Sequence, residues 1–330
     1  MKLPHRRQVL HLAAGAAAVP AVSRVTWAQA YPSRPITMIV PAPAGGPTDS
    51  ITRILIEHMR SSLGQPIVIE NGGGAGGTIA VGRAARANPD GYTLVVGNWG
   101  NFVVTGAIYS LAYDLQTAFE PISPWTTEPF IVVAKKTMAA NNLRELVAWL
   151  KANSDKASMG TSGIGGPSHI SGVIFQQLTG TRGQFVPYRG AAPAMQDLVA
   201  GQVDVMVAGA SAVLPQKRAD TIKTYAVAAN NRLKSAPDIP TADEAGLPNF
   251  HLSVWHGLFA PKGTPKGIID KLNTATVSAL SDPTVSRRLR DNGQDIYPPD
   301  QQTPQALATL QKVEIEKWWP IIKAAGIKAE

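Results

Sequence analysis

The stretch that decides the fold is PITMIVPAPAGGPTDSITRIL, residues 35–55. Its first part, Pro35–Val40, is a short apolar run that ends at a proline, which is typical of a buried β-strand. Small residues follow up to Thr48, and apolar residues then return at the spacing of one helix face. The stretch therefore predicts a strand, a glycine-rich turn and a helix in direct succession.

The same succession continues along the chain. The further predicted strands are Pro66–Glu70, Gly91–Val96, Phe130–Ala134, Ala157–Gly160, Gln184–Pro187, Val203–Ala208 and Thr224–Ala228. The further predicted helices are Thr78–Ala87, Leu143–Ala152, His169–Leu178, Ala192–Ala200, Lys266–Ser281, Asp282–Asn292 and Pro304–Ala325. Alternation of this kind predicts an α/β fold with mostly parallel sheets covered by helices on both faces.

Composition excludes several classes of protein. The 330 residues contain no cysteine, so disulfides, thiolate nucleophiles and zinc–cysteine sites are ruled out. The net charge is +8, but residues 1–30 carry four basic residues and no acid, which leaves +4 for the rest. That modest charge comes with no basic and aromatic stripe, and it argues against a nucleic-acid partner.

The first 30 residues have the layout of an export signal. A basic start containing Arg6-Arg7 precedes a weakly apolar stretch, Leu10–Val22, and the small-residue site Ala28-Gln29-Ala30. We expect cleavage after Ala30 and a periplasmic mature protein without a membrane span. The twin-arginine and the general secretory routes both stay open.

The mature chain has the length at which one core divides into two lobes. Pro-bearing extended stretches at Pro121–Pro129 and Leu247–Ser253 are the predicted hinge. The lobes would then be 31–128 with 254–330, and 129–253. Two lobes joined by two strands predict a cleft that opens and closes.

Turns that lead into helices are the candidate binding elements. They are Pro41–Asp49, Thr161–His169 and Tyr188–Pro193, and they combine small residues with unpaired amides at helix N-termini. Strand-to-helix turns gather at one edge of a parallel sheet, so the three together predict a site for an organic anion such as a dicarboxylate. The alternative for each single turn is ordinary capping by Thr48, Asp49 or Ser168.

Other motifs are weaker. Gly72–Gly77 has the spacing of a dinucleotide fingerprint, but the next strand ends at Gly97-Asn98 without the acid that would hold a ribose. His251 and His256 point to opposite faces of an extended stretch, which disfavours a shared metal. His169 is open between a ligand contact and a cap. No cofactor and no metal are expected.

Six segments in order resemble the substrate-binding proteins of the tripartite tricarboxylate transporters, the TctC or Bug receptors. They are YPSRPITMIVPAPAGGPTDSITRIL, VIENGGGAGGTIAVGRAARANPDGYTLVV, GTSGIGGPSHISGVIF, VPYRGAAPAMQDLVAGQVDVM, RLKSAPDIPTADEAGLPNF and WHGLFAPKGTPKGIIDKLN. The resemblance runs from Tyr31 to Lys328. It implies a two-lobed, Venus-flytrap periplasmic binding protein that is not an enzyme, with a carboxylate ligand and a membrane transporter as partners, acting as a monomer.

The resemblance also implies ligand-binding residues. They are Ala44, Gly45, Gly46, Pro47, Thr48 and Asp49 in the first lobe, and Thr161, Ser162, Gly163, Ser168, His169, Arg189, Gly190 and Ala191 in the second. Asn98, Trp99 and Ser211 are added from two segments that depart from the family pattern, Gly97–Asn101 and Ala208–Ser211. Trp99 has two interpretations: it faces the cleft and stacks on a planar carboxylate, or it covers the lobe surface.

The sequence thus predicts a receptor that closes on a carboxylate through contacts made by both lobes. A receptor that reports to a signalling partner is the first alternative. An enzyme of the same two-lobed shape is the second, and it would require an acid–base pair in the cleft.

Overall fold

The computed structural model describes residues 31–324 and 326–327. The predicted export signal, residues 1–30, lies outside the described residues. Among the helices that are described, none has the length and apolar character needed to cross a membrane.

Within the described residues, strands and helices alternate much as the sequence predicts. The strands are β1 Ile36–Val40, β2 Ile67–Asn71, β3 Thr93–Asn98, β4 Phe119–Lys135, β5 Ser158–Thr161, β6 Gln184–Pro187, β7 Val205–Gly209, β8 Ile222–Val227, β9 Ser253–Pro261 and β10 Asp295–Ile296. The helices are α1 Pro47–Leu63, α2 Thr78–Ala85, α3 Thr105–Ile108, α4 Leu143–Ala152, α5 Pro167–Thr179, α6 Ala191–Val199, α7 Ala210–Arg218, α8 Lys266–Ser281, α9 Pro283–Asp291 and α10 Pro304–Ala324. A π-helical turn, Gly100–Val104, leads into α3.

The strands follow the order β2-β1-β3-β9-β4-β7-β5-β6, with β8 and β10 also paired to β4. Pairing is parallel at both ends of this order, where β1 joins β2 and β3, and β5 joins β6 and β7. The long strands β4 and β9 pair antiparallel to each other and to their neighbours. The sheets are more mixed than strand–helix alternation predicts, because β4 and β9 run in opposite directions through the middle.

Strand β4 changes partners along its length. Its residues Phe119–Pro129 pair with β9, whereas Phe130–Ala134 pair with β7. The two halves of β4 thus belong to a first sheet, with β1, β2, β3, β9 and β10, and to a second sheet, with β5, β6, β7 and β8. This gives the two-lobed α/β fold that the sequence predicts.

Helix α1 shows why the first stretch specifies its structure. Its predicted apolar face is buried, and these side chains pack with β1, β3, α8 and α9 in one hydrophobic cluster. Gly64 ends the helix in the left-handed conformation, with its amide bonded to the carbonyl of Arg60. Burial of this face fixes the direction of α1 and so the position of its N-terminus beside the sheet edge.

Candidate functional site

A cavity of about 400 Å³ opens where β1, β3, β5, β6 and β7 end. Its walls are the turns that follow these strands, together with one side of β4 and β9. Ligands of open α/β sheets bind at this edge, because the carboxyl ends of the strands and the N-termini of the helices meet there.

The turn after β1 is fixed by a buried carboxylate. Gly45 adopts a positive φ of 77°, and Gly46 precedes Pro47, the first residue of α1. Oδ2 of Asp49 accepts hydrogen bonds from the amide of Gly45 at 2.8 Å and from Nε of Arg53 at 2.9 Å. Its Oδ1 accepts from Nδ2 of Asn71 at 3.0 Å. Asp49 therefore holds the shape of the turn from behind.

The turn after β5 has the same backbone shape, but its hydrogen-bond acceptors are neutral side chains. Gly165 has a φ of 71°, and Gly166 precedes Pro167, the first residue of α5. The amide of Gly165 donates to Nδ1 of His169 at 3.1 Å, in the position that Asp49 occupies in the first turn. Oγ of Ser168 accepts from the amide of Ser162 at 2.6 Å, which draws the turn tight.

Thr48 and Ser168 occupy the same place in the two turns, second in their helices, and both line the cavity. Neither of their amides donates a hydrogen bond within the described residues. The first amides of a helix have no partner inside the helix, so they are free to bind an anion. The two residues that carry these donors thus line one cavity.

The hydroxyl of Thr48 belongs to a buried polar group. Oγ1 accepts from Nδ2 of Asn98 at 3.1 Å and lies 3.3 Å from Nε2 of His256. Burial lowers the pKa of His256 to about 3, so its ring is neutral at ordinary pH. A neutral ring that donates from Nε2 leaves the hydroxyl proton of Thr48 for a ligand.

The two sides of the cavity touch each other. Oη of Tyr109 donates to the carbonyl of Ile164 at 3.2 Å, which joins the segment after β3 to the turn after β5. Pro43 packs against Gly190, which lies next to the exposed guanidinium of Arg189. Arg189 adds a permanent positive charge to the cavity wall. The turns after β1 and β6, and those after β3 and β5, are therefore in contact beside the cavity.

Ten of the predicted site residues line this cavity. They are Gly46, Pro47, Thr48, Asn98, Ser162, Gly163, Ser168, Arg189, Gly190 and Ala191. The remaining seven predicted residues, which lie outside the lining, are Ala44, Gly45, Asp49, Trp99, Thr161, His169 and Ser211. Asp49 and His169 each accept a hydrogen bond from the first glycine of their turn, and a ligand contact by either residue stays a prediction. The amide of Ser211 donates a hydrogen bond to Glu128 at 2.8 Å, so Ser211 contacts a lining residue without lining the cavity itself.

Trp99 is the clearest correction. Its side chain is 1% exposed and packs edge to face on Trp318 of α10, with ring centroids 5.1 Å apart. The π-helical turn that begins at Gly100 directs the indole into the core, away from the cavity. The interpretation that Trp99 stacks on a ligand is wrong, and the residue gives no support for an aromatic carboxylate.

Several lining residues were missed by sequence reasoning. They include Tyr109, Glu128, Phe130 and His256, together with the glycine loop Gly73–Gly77. The glycine loop did carry a signal, since small residues before a helix allow close approach to a ligand. Glu128 and His256 carried none, because the face of a long strand on which a side chain lies depends on its pairing partners.

The family model described as a tripartite tricarboxylate transporter family receptor matches residues 51–327. Three solved structures are similar over nearly the whole chain. The periplasmic binding protein BugD is 39% identical, covering 91% of this chain and 100% of its own, with a TM-score of 0.87. MatC from Rhodopseudomonas palustris, solved with bound malate, is 40% identical over 88% of this chain and 100% of its own, with a TM-score of 0.85.

The third structure is Rpa4515 from Rhodopseudomonas palustris, solved with adipate. It is 30% identical, covers 90% of this chain and 99% of its own, and has a TM-score of 0.86. The chain therefore belongs to the receptor family of the tripartite tricarboxylate transporters, the TctC or Bug solute-binding proteins.

Proposed function

We propose that this protein is a periplasmic receptor that captures a small organic carboxylate in the cavity and delivers it to a membrane transporter of the tripartite tricarboxylate type. One observation carries the proposal. The free amides of Thr48 and Ser168 stand at two helix N-termini that line the same cavity. Arg189 and the hydroxyls of these turns add further donors for an anion.

A ligand with two carboxylates fits this arrangement best. One carboxylate would accept from the turn after β1 and the other from the turn after β5 or from Arg189. The malate of MatC and the adipate of Rpa4515 support this ligand class, because both are dicarboxylates bound by similar proteins. Contacts made to both turns at once would favour the closed conformation.

We place the lobe boundaries at 128/129 and 253/254, with 31–128 and 254–330 in the first lobe and 129–253 in the second. The change of pairing partner in β4 at Pro129/Phe130 supports the first boundary. The start of β9 at Ser253 supports the second. A hinge there lets the two turns separate without disturbing either sheet.

The remaining parts of the proposal concern the exported protein. Cleavage after Ala30 would release a periplasmic receptor of 300 residues that works as a monomer. The similarity to the periplasmic binding protein BugD supports this location. The proposed role is binding and delivery, with no catalytic step.

A thermal-shift screen of the mature protein tests the ligand class. The panel contains mono-, di-, tri- and aromatic carboxylates, and we expect a concentration-dependent rise in Tm with one or a few dicarboxylates, because a ligand that binds the native state stabilises it. Adipamide is the matched control for adipate, since it has the same length without charge. Equal shifts with the acid and its amide, or no shift with any carboxylate, would contradict the proposal.

A further inference from the structure

Glu128 is an acid in the wall of a cavity that we propose to hold an anion. It lies on β4 in the half that pairs with β9, and its side chain is 2% exposed. Two carboxylates in contact repel each other strongly when both are ionised and the site excludes water. An ionised Glu128 would therefore repel an anionic ligand bound in this cavity.

The position of this carboxyl group is set by its neighbours. Oε2 accepts from the amide of Ser211 at 2.8 Å and from Nε2 of Gln294 at 2.8 Å. Thr126 donates to Oε1 of Gln294 at 2.7 Å, which orients that amide so that its Nε2 faces Glu128. Both of these hydrogen bonds fall on Oε2, the hydroxyl of Ser211 is a further donor beside the carboxyl group, and Oε1 is the oxygen that lies beside Gly209.

Gly209 provides the room for Oε1. A Cβ atom at this position would lie 2.7 Å from Oε1, closer than a Cβ atom approaches a non-bonded oxygen. Gly209 and Glu128 both line the cavity. The absence of a side chain at 209 thus lets the carboxyl group reach the cavity wall.

Burial raises the pKa of Glu128 to about 7, and the hydrogen bonds from Ser211 and Gln294 oppose that rise without cancelling it. None of the salt bridges formed by the described residues involves Glu128. The group therefore gains or loses a proton near neutral pH.

The other titratable groups of the cavity keep their charge across that range. From β9, His256 faces the cavity as a neutral ring, because burial lowers its pKa to about 3. Burial raises the pKa of Tyr109, and burial with the hydrogen bond to Asp197 raises that of Tyr188 to about 12, so both phenols stay neutral. Arg189 remains a cation.

The elements packed against Glu128 present neutral groups to its carboxyl group, and Asp295 of β10, which pairs with Thr127, is exposed. Helix α7 presents the amide of Ser211, while its basic residues, Lys217 and Arg218, lie in its last turn. The segment before β10 presents the neutral amide of Gln294. Behind the turns, hydrogen bonds hold the pKa of Asp49 below its usual range and burial lowers the pKa of His169, so both shifts lead away from pH 7.

We propose that Glu128 is a ligand-binding residue that acts in its protonated form, donating a hydrogen bond from Oε1 to a carboxylate of the ligand. The receptor would then take up a proton from solvent at Glu128 when it binds its ligand above neutral pH. This inference rests on the proposed function, because it requires an anionic ligand. A ligand that placed an ammonium group at Glu128 would have the opposite effect and release a proton.

The sign of the pH dependence follows from linkage. Binding is strongest when Glu128 is already protonated, and it weakens as the pH rises through about 7, since the proton must then be taken from solvent. If Glu128 stays protonated in the complex, the Kd rises up to about 25-fold between pH 6.5 and 8.5. The carboxylates of malate and adipate are ionised throughout this range.

Titration calorimetry with malate and adipate at pH 6.5, 7.5 and 8.5 tests this inference. We expect the Kd of the wild type to rise with pH, and proton uptake at pH 8.5, measured in two buffers of different ionisation enthalpy, to approach one per ligand. E128Q cannot ionise, so its Kd should stay constant over the range. E314Q is the matched control, because Glu314 is a second glutamate with a pKa raised by burial, on α10 and outside the cavity lining.

Three outcomes would overturn the inference. A wild-type Kd that is independent of pH, or proton release on binding, contradicts the donor role of Glu128 while leaving carboxylate binding intact. A pH dependence that persists in E128Q assigns the proton to another group. No binding of any carboxylate of the thermal-shift panel at any pH contradicts the proposed function itself, so the two failures are distinguishable.

A measurement on the ligand-free wild type tests the same inference without depending on whether E128Q folds. The δ-carbon of Glu128, followed by ¹³C NMR in the wild type, should titrate near pH 7. A midpoint below about 5, within the usual range of a glutamate, would also overturn the inference.

Discussion

The turn after β1 and the turn after β5 reach the same backbone shape by different chemistry. Each reads Gly-Gly-Pro followed by a hydroxyl residue, Gly45–Thr48 in the first and Gly165–Ser168 in the second. Each is held by the residue after the hydroxyl, which accepts from the first glycine's amide. That residue is Asp49 in one turn and His169 in the other, so one turn is held by a charge and the other by a neutral ring.

The geometry that presents free amides can thus be built in two ways, which differ in how much the holding side chain must be compensated for its burial. A buried carboxylate must be balanced, and Asp49 has Arg53 and Asn71 for this purpose. The ring of His169 needs less compensation and packs edge to face on Phe185. The first turn should therefore be the more sensitive to loss of its holding side chain.

Removal of Asp49 is the largest expected effect. Asp49→Ala leaves the amide of Gly45 without its acceptor and removes one of the two acceptors of the Asn71 side chain, so we expect a loss of about 2–4 kcal/mol in the free energy of unfolding, measured with urea. Asp270→Ala is the control, because Asp270 forms an exposed ion pair with Lys266 and should cost less than about 1 kcal/mol. Equal losses in the free energy of unfolding for the two variants would contradict the conclusion that Asp49 holds the turn.

Loss of either hydroxyl should have an intermediate effect on binding. Thr48→Val and Ser168→Ala each remove a polar group of the cavity, and we expect each to weaken the affinity for a bound dicarboxylate about tenfold, close to 1.4 kcal/mol. Thr52→Val is the control, because the buried hydroxyl of Thr52 bonds the carbonyl of Thr48 and lies outside the cavity lining. An effect of one hydroxyl without the other would mean that the ligand depends on one turn alone.

The smallest expected effect is a difference between the two turns in how their contribution to stability changes in mild acid. Burial lowers the pKa of His169, so its contribution to stability is full above the unfolded value of about 6.5 and declines below it, where the unfolded chain takes up the proton. Burial alone would raise the pKa of Asp49, but hydrogen bonds from Arg53, Gly45 and Asn71 lower it, so its contribution persists until the pH falls below about 4.

The measurement is the stability lost in H169Q and in D49N at pH 7.5 and at pH 5. The loss caused by H169Q should shrink on going to pH 5, whereas the loss caused by D49N should stay constant. A shrinking loss in D49N would contradict the ionised, buried state of Asp49.

Much of the fold and part of the site could be predicted from the sequence. Local patterns were enough to predict α1 and the turns that contain Thr48 and Ser168, because a helix start and the spacing of apolar residues depend on residues close together in the sequence. The pairing of β4 was harder to predict, since this strand belongs to both sheets. The proline-bearing stretch Pro121–Pro129 indicated where its partner changes, but no local pattern indicates which strands it pairs with.

One misassigned residue and two missed residues share one cause. Trp99, Glu128 and His256 each lie where a side chain can face the cavity or the core, and the choice depends on distant segments. Trp318 of α10 receives the indole of Trp99, and the register of β4 and β9 places Glu128 and His256 toward the cavity. Contacts across more than 80 residues of chain decide these orientations, as with Glu128 and Ser211.

The most direct test of the account is whether one ligand engages both turns. The amides of Thr48 and Ser168 can be followed in ¹H–¹⁵N spectra of the labelled protein while malate or adipate is added, with adipamide as the uncharged control. The account predicts that both amides shift together, with one Kd, and that adipamide moves neither. A carboxylate that shifts the amide of one turn and leaves the other unchanged would contradict the claim that the two turns hold the ligand between them.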